Sequence, residues 1–200
     1  MAVGFWTLER TATCLGRKAG LRKPLPVMLA FTDPMRTPDL VAYVRGLPRG
    51  ATVVYRAFGA KDALGEALTL RRLTRLLSLK LLIGADVWLA RTVRADGVHL
   101  PERDRARVAP IKRSHPNWIV TLAANSPRAA RARADGLVVS AVFASASPSA
   151  GRPLGPLRLA QWVRIGRSPI FALGGVTQKN ARRLLPTGVV GLAAIDGFRT

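Results

Sequence analysis

Eight short apolar, β-branched runs alternate along this chain with segments of helical periodicity. The runs fall at 26–31, 52–56, 80–83, 97–100, 118–122, 136–140, 170–173 and 189–194. Helical spacing marks 38–45, 61–77, 87–93, 103–113, 127–133, 157–165 and 177–185. Strands that read as continuous apolar stretches are buried on both faces, as in a parallel sheet covered by helices. Eight such units predict a (β/α)8 barrel in one domain over 25–200, short for that fold, which typically needs roughly 200 residues or more. Thr200 follows directly on the eighth run, so the last barrel helix is expected to be truncated or missing. A basic segment over 1–24, with Arg10, Arg17, Lys18, Arg22 and Lys23, predicts an extra N-terminal helix. It lacks the long apolar stretch of a signal peptide. That helix or a second subunit, in a homodimer, is expected to cover the gap.

The ends of runs seven and eight point to a ligand. Gly174-Gly175-Val176-Thr177 follows the seventh, and Gly191 to Ile195 closes on Asp196-Gly197. Strand ends rich in glycine let backbone amides approach an anion closely, and the mouth of a barrel near its last strands is a common phosphate site. Between them the stretch 145–156 is the longest expected connection, placed where an active-site flap would lie.

Charge is the second constraint. Lys and Arg total 32 against 11 Asp and Glu, a net +21. Such a field is compatible with nucleic acid. However, Arg71, Arg72, Arg75, Arg128, Arg131, Arg133, Arg182 and Arg183 all fall in expected outer helices, and no nucleic-acid-binding motif accompanies them. A solvated basic surface is the expected reason for the excess, with an acidic partner surface or nucleic acid as the alternatives. The one cysteine, Cys14, excludes a disulfide framework, and no apolar stretch reaches the ~20 residues of a membrane span. Both fit a cytoplasmic chain without membrane partners.

Several pieces in order resemble the thiamine phosphate synthase/TenI family: Thr32-Asp33 after the first run, Arg56 after the second, Ala95-Asp96-Gly97-Val98-His99-Leu100, Val142-Phe143 with its Ser/Pro loop, and Leu173-Gly174-Gly175-Val176-Thr177. The resemblance implies coupling of hydroxymethylpyrimidine pyrophosphate with a thiazole phosphate, with Mg2+ as cofactor. It assigns Arg56, Ser145 and Ser147 to catalysis. Arg56, Asn125, Gly174, Gly175, Ile195 and Asp196 would bind substrate phosphates, and Asp104 with Asp86 would hold the metal.

The family pattern is also eroded. A glutamine and a lysine of the second strand are replaced by Val54 and Phe58, and an Asn-Asp pair by Gly84-Ala85, with Asp86 one place on. A serine and a histidine of the fifth strand become Ala123 and Asn125, and the flap lysine becomes Pro148. Each surviving residue has a purely structural alternative. Arg56 could pair with Asp33 or Asp104, Asp104 could sit at a helix start, Asn125 could cap a helix beginning near Ser126, and His99, Trp88 and Trp118 could simply pack. Three functions remain open at this level. They are thiamine phosphate synthesis with weak or lost activity, a non-catalytic barrel binding a phosphorylated metabolite or protein partner, and nucleic-acid association.

Overall fold

A computed structural model describes residues 7–21, 25–145, 151–195 and 197–198. The eight strands are β1 (Met28–Phe31), β2 (Thr52–Tyr55), β3 (Lys80–Gly84), β4 (Gly97–Leu100), β5 (Ile119–Ala124), β6 (Gly136–Val139), β7 (Ile170–Ala172) and β8 (Gly191–Ala194). All pair in parallel in chain order, and β8 returns to β1 in the register Met28↔Leu192 and Ala30↔Ala194, closing the barrel. The helices are α1 (Leu8–Ala19), α2 (Leu40–Arg45), α3 (Ala63–Leu76), α4 (Val87–Thr92), α5 (Val108–Ser114) and α6 (Gly155–Ile165). Among the described residues no helix is long and apolar enough to cross a membrane.

Local chemistry explains where these helices start. Thr7, Asp39, Asp62 and Asp86 each turn a side-chain oxygen onto an otherwise unpaired backbone N–H of the first turn in α1, α2, α3 and α4. Gly20 ends α1 in the left-handed conformation at φ 54°.

Three expected helices are shorter than their periodicity suggests. The stretch 127–133 holds only a 3-10 turn, Ala129–Arg131, and 177–185 only another, Ala181–Leu184. The connection from β5 to β6 is short, and in the longer one from β7 to β8 Pro186 with Gly188 at φ 83° cuts the helix short. The stretch 103–113 opens as a 3-10 segment, Glu102–Arg107, before α5.

Alternation along the strands sorts side chains between two cores. Leu29, Phe31, Val54, Leu82, Val138, Phe171, Val190 and Ala193 pack inside the barrel, and Leu21 and Leu25 pack against them. The Phe171 ring occupies the space left by two glycines. A Cβ at Gly136 would lie 2.6 Å from it, and one at Gly191 2.9 Å. The larger core lies between sheet and helices and includes Leu8, Ala12 and Leu15 of α1. Helix α1 lies against β8 and the 181–184 turn. Gly16 permits this approach, since a Cβ there would stand 2.4 Å from Val27 Cγ1. The chain's own N-terminal helix therefore covers the outside of β8, the side for which a second subunit was the alternative.

Candidate functional site: the carboxyl mouth of the barrel

The carboxyl ends of the strands enclose a cavity of about 810 Å³. Its wall includes Phe31, Arg56, His99, Asn125, Ser145, Gly174, Gly175 and Ile195, joined by Arg36, Ser140, Arg152 and Thr177. Six of the expected site residues thus meet at one place. Ser147 and Asp196 lie outside the described residues.

Arg56 leaves β2 and is held on several sides. Its backbone N–H donates to Thr32 Oγ1 at 2.9 Å, Nε donates to the Thr32 carbonyl at 2.9 Å, and Nη2 donates to Asp33 Oδ2 at 3.3 Å. Of the two carboxylates expected as its partner, Asp33 is the one used. The guanidinium also sits 5.5 Å from the Phe31 ring centroid and 4.6 Å from that of Phe58. Phe58, at φ 40° and 63% exposed, covers the guanidinium from the solvent side. Burial lowers the Arg56 pKa, the Asp33 charge opposes this, and the neighbouring Arg36 charge adds to it. The group remains a cation at any physiological pH.

His99 packs edge-on against Phe31, centroids 4.9 Å apart, and its Nδ1 lies 3.0 Å from Thr121 Oγ1. Burial, reinforced by the Arg56 charge, pushes its pKa down to about 3. The imidazole is neutral near pH 7 and acts as a hydrogen-bonding wall rather than a fixed charge.

The Gly174–Gly175 turn is shaped by crowding as well as by any ligand. Both residues have positive φ, 90° and 64°. A Cβ at Gly174 would lie 2.8 Å from Ala141 Cα, and one at Gly175 2.1 Å from the Ala144 carbonyl oxygen. Asn180 staples the turn by donating Nδ2–H to the Gly175 carbonyl and accepting from the Thr177 N–H, both at 2.8 Å. No α-helix begins at Thr177, so a helix dipole is not part of this site. Among the described residues, the N–H groups of Gly174, Gly175 and Val176 have no hydrogen-bond acceptor. They are the donors this turn offers an anion.

The two carboxylates expected to hold a metal each take part in another bond in this structure. Asp86 Oδ1 accepts from the Leu89 N–H at 2.8 Å as the cap of α4. Asp104 Oδ2 lies 3.3 Å from Arg107 Nη1. Neither lines the cavity, and no described lining residue is acidic. Among the described residues no group of three or more His, Cys, Asp or Glu could hold a metal ion. The described donor set does not fit a divalent cation, which wants one or two carboxylate oxygens beside its substrate ligands.

Asn125 faces the cavity and caps no helix; Ser126 Oγ accepts from the Ala129 N–H at 3.1 Å beside the 3-10 turn. Glu102 clamps this strand exit, its carboxylate accepting from the Asn125 N–H at 2.7 Å and the Ser126 hydroxyl at 2.6 Å. Trp118 stacks on His115 at 4.0 Å, whereas Trp88 is 66% exposed instead of packed. Sequence reasoning missed Arg36, Arg152 and Ser140. Among 32 basic residues the two arginines carry no distinguishing signal beyond their place in mouth-side loops.

Comparison with known proteins agrees with this geometry. The family model described as thiamine monophosphate synthase matches residues 30–198. The chain is 38% identical over 158 residues to the thiamine-phosphate synthase of Chloroflexus aurantiacus, covering 74% of this chain and 71% of that one. It is 33% identical over 185 residues to that of Alcanivorax borkumensis, covering 86% and 84%. The solved thiamine phosphate pyrophosphorylase of Pyrococcus furiosus superposes with a TM-score of 0.71 at 29% identity over 85% of each chain. On these grounds the chain belongs to the thiamine monophosphate synthase family.

Proposed function

We propose that this chain forms thiamine phosphate, taking a pyrimidine pyrophosphate and a thiazole phosphate into the mouth cavity. In that reaction the bond between the pyrimidine methylene carbon and the pyrophosphate oxygen breaks, and its electron pair leaves with pyrophosphate. The thiazole ring nitrogen then gives its lone pair to the methylene carbon, forming the new C–N bond. The protein's part is to neutralise charge growing on the leaving group and to hold the two rings in contact. Arg56 is oriented for the first task by Thr32 and Asp33. The amides of Gly174, Gly175 and Val176, without an acceptor among the described residues, suit the thiazole phosphate. His99, neutral and fixed by Thr121, offers the rings a wall without adding positive charge beside a forming carbocation.

One observation carries this reading: a cavity whose described charged residues are all arginines opens beside an amide-rich turn, in a chain of this family. The cavity's arrangement also favours a second reading, binding without turnover, because Asp86 and Asp104 serve other bonds. A cytoplasmic setting suits both, since the substrates are charged and the single cysteine needs no oxidising compartment.

The test is pyrophosphate release from the two substrates, run beside thermal melting with thiazole phosphate alone. Release that drops about 100-fold or more in Arg56→Gln supports synthesis. A thermal shift without release supports the binding reading. Neither a shift nor release overturns both.

A further inference from the structure

The cavity wall holds three cationic side chains, Arg36, Arg56 and Arg152, and no described carboxylate. They arrive from different parts of the chain. Arg36 stands in the turn after β1, where its N–H donates to the Asp33 carbonyl and to Asp33 Oδ1, both at 3.2 Å. The same carboxylate takes Arg56 Nη2 at 3.3 Å, so Asp33 holds the Arg36 backbone and the Arg56 guanidinium at once. Their proximity is also felt electrostatically, the Arg36 charge being one cause of the lowered Arg56 pKa. Arg152 comes from the β6 side of the mouth. The chain just after it is pinned by Leu154 N–H to the Ala141 carbonyl and Gly155 N–H to the Val142 carbonyl, each at 2.9 Å. Ala141 is the residue against which Gly174 closes, so this segment and the amide turn share one support.

A pyrophosphate ester is already multiply anionic and gains a further negative charge as it departs, and something must balance that charge. A protein-held metal is one solution, and no described residue of this wall is a carboxylate. Planar guanidinium groups are another, each able to meet two phosphate oxygens at once. We infer that Arg36, Arg56 and Arg152 together hold the pyrophosphate group directly, so that its capture needs no divalent cation bound by protein carboxylates. This rests on the proposed thiamine phosphate reaction for the identity of the substrate, but not for the chemistry of the site. Arg152 then supplies, four positions along the flap, the charge that a lysine at Pro148 would have brought.

The experiment is calorimetric titration of the full chain with inorganic pyrophosphate, once in excess chelator and once in excess Mg2+. The variants Arg36→Gln, Arg152→Gln, Asp86→Asn and Asp104→Asn are measured in parallel, with melting temperatures to confirm folding. Binding in chelator at least as tight as in Mg2+ is expected, weakened about tenfold by each arginine change, a charged hydrogen-bonding group being worth roughly that factor or more. The two Asp→Asn changes are expected to leave it unaltered. Arg36→Lys and Arg152→Lys should fall between, since charge is kept and the fork lost. Binding only with Mg2+, loss in either Asp→Asn variant, or indifference to both Arg→Gln changes would overturn the inference. Should pyrophosphate bind as expected while the two organic substrates neither bind nor couple, the thiamine reading fails and the arginine site stands. Coupling that requires Asp104 and Mg2+ upholds the thiamine reading and overturns the metal-free arginine site.

Discussion

At the residue scale, Gly175 and His99 make the sharpest demands. A methyl at Gly175 meets the Ala144 carbonyl oxygen at 2.1 Å on a backbone already at φ 64°. Gly175→Ala should therefore cost about 1–3 kcal/mol in denaturant unfolding, the range for overpacking, and should weaken thiazole phosphate binding together with stability. His99 titrates at about 3 when folded, against roughly 6.5 unfolded. Below pH 6.5 the unfolded chain takes up a proton that the folded chain refuses. The stabilisation is complete above that pH and lost as pH falls towards 3. The slope from one such proton is up to about 1.4 kcal/mol per pH unit. Denaturant unfolding between pH 6.5 and 5 should show that loss, and His99→Gln should flatten it. An unchanged slope in the variant would refute a neutral imidazole at position 99.

At the scale of elements, the helix that precedes the barrel matters most. Helix α1 buries Leu8, Ala12 and Leu15 in the core that the sheet and outer helices share, with Leu15 only 1% exposed. Leu15→Ala should cost about 2–5 kcal/mol. For a chain of this length that lowers the melting temperature by roughly 2–4 °C per kcal/mol. Were α1 a loosely attached extension, the same change would be nearly silent. The loss should leave the Arg56 side of the mouth intact, because α1 packs against β8 and the 181–184 turn rather than against β2.

At the scale of the molecule, the +21 charge predicts a kinetic effect that no single residue shows. A basic surface around a cationic mouth raises the local concentration of anionic ligands and speeds their arrival. Stopped-flow association of pyrophosphate should slow by about threefold or more between 20 and 200 mM salt, as screening shortens the reach of the field. Dissociation should change less. A rate indifferent to salt would confine the charge to the solvated outer helices, where the distribution of arginines in the sequence already puts most of it.

The barrel was legible because buried parallel strands need unbroken apolar runs, a local property that burial imposes on the residues themselves. The β4 stretch 97–100 falls where periodicity puts it, and the Gly174–Gly175 turn is likewise written in the residue types it requires. Helix lengths were less legible. Periodicity in 127–133 and 177–185 reports which face is apolar, whereas the length of the connection at the first and Pro186 with Gly188 at the second decide whether a full α-helix forms. The assignment of Asp86 and Asp104 needed tertiary structure for a related reason. A carboxylate near a strand end can cap a helix, pair with an arginine or face the mouth, and only the direction of its side chain separates these. Arg36 and Arg152 came to light in the same way. Their composition is that of every other basic residue in the chain, and convergence on one cavity is a relation between distant segments that no local pattern encodes.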